Sequence, residues 1–159
     1  MTVNDMPADG PDDRLTVADV DGWVQSVDEH GAIVLQPQTF ASATMPTFRV
    51  QHFAHRDGDL SDVAAQVVAE LRMVLSDCVV IDVARLSDGP FGGDVIHIAI
   101  AFRTGLFSQT YFQWICAAGS GDGFVSASLV CQSEDAPIMA VIGAALLGAV
   151  RLSAADHAA

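Results

Sequence analysis

DVIHIAIAFR at residues 94–103, SQTYFQWIC at 108–116 and GFVSASLVCQ at 123–132 decide the fold of this chain. Each run is rich in β-branched and aromatic side chains, and short turns at Thr104-Gly105-Leu106 and residues 119–123 separate them. This pattern predicts three antiparallel strands in a meander. Side chains alternate across a strand, so each run divides into two sets. One set holds Ile96, Ile98, Ile100 and Phe102, then Phe112, Trp114 and Cys116, then Val125, Ala127, Leu129 and Cys131. The other holds His97, Arg103, Gln109, Tyr111, Gln113, Ser126 and Ser128, with Ile115 and Val130 as apolar members. The expectation is a sheet with one oily face for the core and one half-polar face open to use.

Upstream, residues 1–14 carry Asp5, Asp9, Asp12 and Asp13 with Pro7, Gly10 and Pro11 and no apolar periodicity, which predicts a disordered acidic leader. Order is expected from Leu15. Strands are predicted at residues 23–27, 32–37 and 47–53, the first two joined by an Asp28-Glu29-His30-Gly31 turn. Leu60, Val63, Ala64, Val67, Val68, Leu71, Val74 and Leu75 then fall on one stripe at helical spacing, with Asp59 or Ser61 available as a cap. A strand over residues 79–85 precedes the meander. A second helix is predicted from Pro137 to Leu152. It has no polar side chain from Ile138 to Val150, so it must be covered on more than one side, by this chain or by another. At 1.5 Å per residue it rises about 20 Å, too short for a bilayer of roughly 30 Å. The order is βββ-α-ββββ-α, an α+β fold whose antiparallel sheet of six to seven strands packs with two helices. Residues 15–152 form a single domain and 153–159 a flexible tail.

Composition narrows the function classes. The 159 residues are 51% apolar and 17% charged, ample for one core. Seven arginines and no lysine stand against seventeen aspartates and three glutamates, for a net charge of -13. Phosphate neutralisation needs clustered cations, so nucleic acid is not an expected partner, and an anionic membrane surface is not one either. Cys116 and Cys131 fall on apolar strand faces; buried free thiols are expected, with a bridge between them the alternative. The N-terminal residues show no basic or apolar signal region and no lipid-acceptor Cys, which makes the cytoplasm the expected compartment.

Gly22-Trp23, the strand at 31–35, the helix ending in ELRMVL at 70–75 and the loop LSDGPFGG at 86–93 follow one another in a recognisable layout. Over roughly residues 20–152 it resembles the Mog1/PsbP-like fold, and within it the small actinobacterial proteins of the LpqN/LpqT type. The resemblance implies an antiparallel sheet packed with helices and a binding, assembly or chaperone-like role. It supplies no shared catalytic centre and carries no functional residue over. LpqN-type proteins have an export signal and a lipid-anchored Cys, neither of which is seen here. Cytoplasmic chaperones associated with bacterial secretion systems are the better-matched comparison.

Chemistry-bearing motifs are few. His52 and His55, three apart, point to opposite faces of a strand and converge on a metal only if the strand ends between them; they are the weak metal candidates, beside Asp57, Asp59 and Asp62. Otherwise they are loop histidines. The glycine-rich loop at 89–93 is followed by a strand, whereas a phosphate cradle needs a helix there. No nucleophile elbow occurs, and Cys78 has no cationic sequence neighbour to lower its pKa. No cofactor is expected and no catalytic residue is assigned. The expected function is non-enzymatic protein binding or chaperoning by a homodimer, secretion-associated in the nearest analogy. Its surface is either the half-polar face, with His97, Tyr111 and Gln113, or the second helix, with Met139 and Leu147. A small-ligand or lipid-binding module with a sheet–helix cavity is the alternative, and a small enzyme the third reading.

Overall fold

The computed structural model describes residues 14–53, 59–118 and 123–153. Its elements are β1 (Leu15–Val17), β2 (Trp23–Val27), β3 (Ile33–Pro37), β4 (Thr47–Phe53), α1 (Leu60–Val74), β5 (Val79–Leu86), β6 (Gly92–Thr104), β7 (Phe107–Ala118), β8 (Phe124–Gln132), α2 (Ala136–Gly148) and β9 (Val150–Leu152). Seven strands form one antiparallel sheet in the order β2-β3-β4-β8-β7-β6-β5, and β1 pairs with β9 in a small second sheet. The α+β class read from sequence is the one observed, and the βββ-α-ββββ-α order holds for the seven-stranded sheet and the two helices, with β1 and β9 added at the ends. The meander β6-β7-β8 is the centre of the sheet, closed on its far side by β4.

The two helices cover opposite faces. Asp59 caps α1 by accepting the Ser61 N–H, and Asp62 lies in the first turn, where the dipole favours an anion. Leu60, Val63, Ala64 and Val67 of α1 then pack on Ile96, Ile98, Ile100, Ile115 and Phe124. Under α2 lie Phe48, Val50, Phe112, Trp114, Cys116, Val125, Ala127, Leu129 and Cys131. Burial of the central strands on both sides accounts for much of the 51% apolar composition, whereas the edge strands β2 and β5 are largely exposed.

The face assignment of β6 differs from the one read from sequence. Thr104 pairs with Phe107 across Gly105–Leu106, so even-numbered residues of β6 stand beside odd-numbered residues of β7. Ile96, Ile98 and Ile100 therefore neighbour Ile115, Gln113 and Tyr111, not Phe112 and Trp114. Both faces of β6 are covered, and alternation alone gives such a strand no phase. The second helix is also shorter than expected. It ends at Gly148, and Val150–Leu152 becomes β9, because Leu15, Val17 and Val150 bury themselves by pairing the two ends of the domain. Among the described residues no helix is long and apolar enough to cross a membrane.

At Gly143 α2 lies close against the sheet. A Cβ there would overlap Trp114 Cη2 and sit 3.2 Å from Leu129 Cδ2. Gly148, one turn on, has nothing within 4 Å of the same position. Gly143→Val should therefore cost about 1–3 kcal/mol through overpacking, whereas Gly148→Ala should gain about 0.4–1 kcal/mol. Urea denaturation measures both, and equal responses would mean that α2 does not rest on Trp114.

Candidate functional site

On the α1 face, β4, β8 and β7 place polar side chains side by side. Arg49 stands opposite Ser128, which stands opposite Gln113; Gln51 stands opposite Ser126. Tyr111 lies two residues along β7 on the same face. The N-terminal half of α1 covers the isoleucines of β6, and its C-terminal half overhangs this polar floor. The space between is a pocket of about 440 Å³. Val67, Leu71 and Val74 of α1 and Phe53 of β4 make its apolar walls, with Glu70 and His30 at the sides.

The floor is held by hydrogen bonds. Tyr111 Oη donates to Gln113 Oε1 at 2.9 Å, and Gln113 Nε2 donates to Ser126 Oγ at 2.9 Å. Gln113 is only 4% exposed, so both ends of its amide need these partners. Burial pushes the Tyr111 hydroxyl up to about 12, against the opposing pull of its Ser128 bond and the Arg49 charge. It is thus a neutral donor at physiological pH.

Arg49 is fixed along one edge. Its Nε donates to Asp28 Oδ2 at 2.8 Å, and Asp28 Oδ1 accepts the backbone N–H of His30 at 2.9 Å and of Ala32 at 3.0 Å. Burial alone would raise the Asp28 pKa; the Arg49 bond, with the two backbone donors and the guanidinium charge, outweighs it and holds the carboxyl below its usual range. The terminal guanidinium nitrogens of Arg49 have no hydrogen-bond partner among the described residues.

Tyr111 and Gln113 of the sequence-predicted half-polar face line this pocket. His97 does not join them. It pairs with Trp114 on the opposite face, its ring centroid 5.5 Å from Trp114 and 5.9 Å from Phe112. Burial lowers its pKa, partly offset by Asp82, whose Oδ2 is 3.9 Å from His97 Nδ1. Met139 and Leu147 are buried in the chain's own core, and Ile138 and Val141 are the large apolar side chains that α2 leaves exposed. His52 is buried opposite Val125 on the α2 face, and His55 lies outside the described residues. Among the described residues no cluster of three or more metal-ligating side chains forms. All three cysteines are free. Burial pushes Cys116 up to about 12, and burial with the nearby Asp135 charge pushes Cys131 up to about 11, so neither is a thiolate at neutral pH.

Arg49 and Gln51 were not among the candidates read from sequence. Their signal was present: TFRVQHF at 47–53 alternates polar with apolar, which places Arg49 and Gln51 on one face of β4. The floor is testable as a unit. Tyr111→Phe leaves Gln113 Oε1 unpaired and should cost about 1–3 kcal/mol. In a double-mutant cycle with Gln113→Leu, a coupling on the order of 0.5–3 kcal/mol is expected in urea denaturation. Additive losses would show that the two side chains act separately.

No protein-family model and no curated protein matches the chain. Solved structures do. LpqN of Mycobacterium tuberculosis, involved in cell envelope biogenesis, aligns with TM-score 0.61 and 15% identity over 88% of this chain and 83% of its own. PA94 of Pseudomonas aeruginosa, a protein of unknown function, aligns at 0.60 and 12% identity over 85% and 94%. Cyanobacterial PsbP from Synechocystis sp. PCC 6803 aligns at 0.59 and 7% identity over 88% and 87%. Likeness at these identities is likeness of fold, and the fold is the Mog1/PsbP-like one.

Proposed function

We propose that this chain is a non-enzymatic binding domain whose working site is the pocket between α1 and the β4-β8-β7 floor, and whose ligand is a small amphipathic molecule. The observation that carries this reading is the pocket's division into an apolar wall and a hydrogen-bonding floor within about 440 Å³. That is the size and the mixture typical of sites for small molecules. Leu71→Trp should fill the pocket. Native mass spectrometry of protein purified from its own host is expected to show a small-molecule adduct that this variant lacks. An adduct that persists in a folded Leu71→Trp protein would put the ligand elsewhere.

A second reading, self-association, is favoured by α2. Ile138 is 67% and Val141 71% exposed, on a segment with no charged side chain from Ala136 to Val150. We propose that a second copy of the chain covers this face. Light scattering at micromolar concentration should give the dimer mass, and Val141→Asp should return the monomer. A wild-type monomer would remove the homodimer.

A further inference from the structure

We infer that the ligand of the α1 pocket carries a carboxylate that docks on the terminal nitrogens of Arg49. The inference rests on the pocket being a ligand site and adds the chemistry of its occupant. Its basis is a count of donors and acceptors. Gln113 Oε1 is taken by Tyr111, and Ser126 Oγ already receives Gln113 Nε2. Asp28 is fully engaged, with the Arg49 Nε on one oxygen and two backbone N–H groups on the other. Gln51, Ser126 and Ser128 leave amide and hydroxyl groups that can donate or accept, so the charged group the floor still offers is the terminal guanidinium of Arg49. Its side chain is 32% exposed, so a ligand that fills the pocket strips water from a charged group. The acceptor that replaces that water must come from the ligand. A carboxylate does so best, because its two oxygens match the guanidinium fork.

The position of Arg49 fixes the direction of binding. Asp28 holds the guanidinium from the β2–β3 turn, and Glu70 of α1 lies on the other side of the pocket. An anionic head is therefore drawn to the sheet side, where the guanidinium stands. The tail is left to Leu71, Val74 and Phe53, the last stacked on Phe124 at 4.9 Å. Val74 lines the pocket and is 67% exposed, so the apolar wall opens to solvent at the end of α1. A medium-chain acyl carboxylate has the matching shape: a head of two oxygens and a flexible tail that leaves along the end of α1.

The probes are sodium decanoate and decanol, which share a tail and differ in charge, titrated below their aggregation range into the ¹⁵N-labelled full chain. Decanoate is expected to shift amides of β4, β7, β8 and the C-terminal half of α1, and to bind about tenfold tighter than decanol. Arg49→Gln should bring decanoate down to the decanol level, and Arg49→Lys should fall between. Should Arg49→Gln fail to fold because Asp28 loses its partner, the pair Asp28→Asn with Arg49→Gln carries the same test. Equal binding of both probes in the pocket, or decanoate binding indifferent to Arg49→Gln, overturns the carboxylate and leaves the pocket a ligand site. Shifts confined to the Ile138–Val141 face, or none from either probe, overturn the carboxylate and the pocket together.

Discussion

Thr104 and Phe107 face each other across two residues, and that pairing sets which side chains of the central sheet share a face. Gly105 makes the turn possible, with φ at 62°, the left-handed value that a first loop position of a type II′ hairpin requires. A loop one residue longer would move every β6 side chain to the other face. Ile96, Ile98 and Ile100 would leave α1, and His97 would enter the space beside Tyr111. The α1 core and the polar floor are thus products of one turn.

The sheet has no solvent face at its centre, and this sets the division of labour between the helices. α2 is apolar on every side and sits low enough at Gly143 to touch Trp114, so the α2 face of the sheet is core up to His97 and the β5 edge. α1 is amphipathic, and only Leu60, Val63, Ala64 and Val67 are fully sunk. Past Val67 the sheet beneath it turns from Ile to Tyr, Gln, Ser and Arg. Apolar side chains cannot close on such a surface without stranding its donors, so the helix end stands off and a pocket remains.

Element order along the chain, element type and the position of α1 were legible in the sequence because each rested on local signals. The 79–86 and 92–104 runs are β-branched, the 60–75 stripe has helical period, and Asp59 precedes it. What was not legible was phase. Val95, His97, Ala99 and Ala101 are scarcely more polar than Ile96, Ile98 and Ile100, so β6 carried no contrast to orient it, and His97 was grouped with Tyr111 and Gln113 on the wrong face. The turn held the missing information, since a two-residue loop obliges odd and even positions to pair. Likewise the end of α2 was missed, because the apolar run continues through Gly148 to Val150 and Gly143 already stands inside the helix; the turn into β9 is held by β1, more than 130 residues away in the chain. Arg49 was missed because its partners Asp28 and Ser128 are near it only once β3, β4 and β8 are side by side.

A buried amide such as Gln113 adds little to stability, since its hydrogen bonds to protein replace hydrogen bonds to water. An isosteric apolar residue at that position, with Phe at 111, would give a continuous core of ordinary strength. The polar floor is therefore not what holds this fold together. Its physical consequence is rigidity: Tyr111, Gln113, Ser126 and the Asp28-bound Arg49 are each fixed before anything enters the pocket. Side chains ordered in advance do not lose that freedom again on binding, where each immobilised rotamer-rich side chain otherwise costs roughly 0.5–1.5 kcal/mol. The same bonds that add only modestly to folding thus favour an occupant whose polar groups match the partners left over, and disfavour one whose polar groups do not.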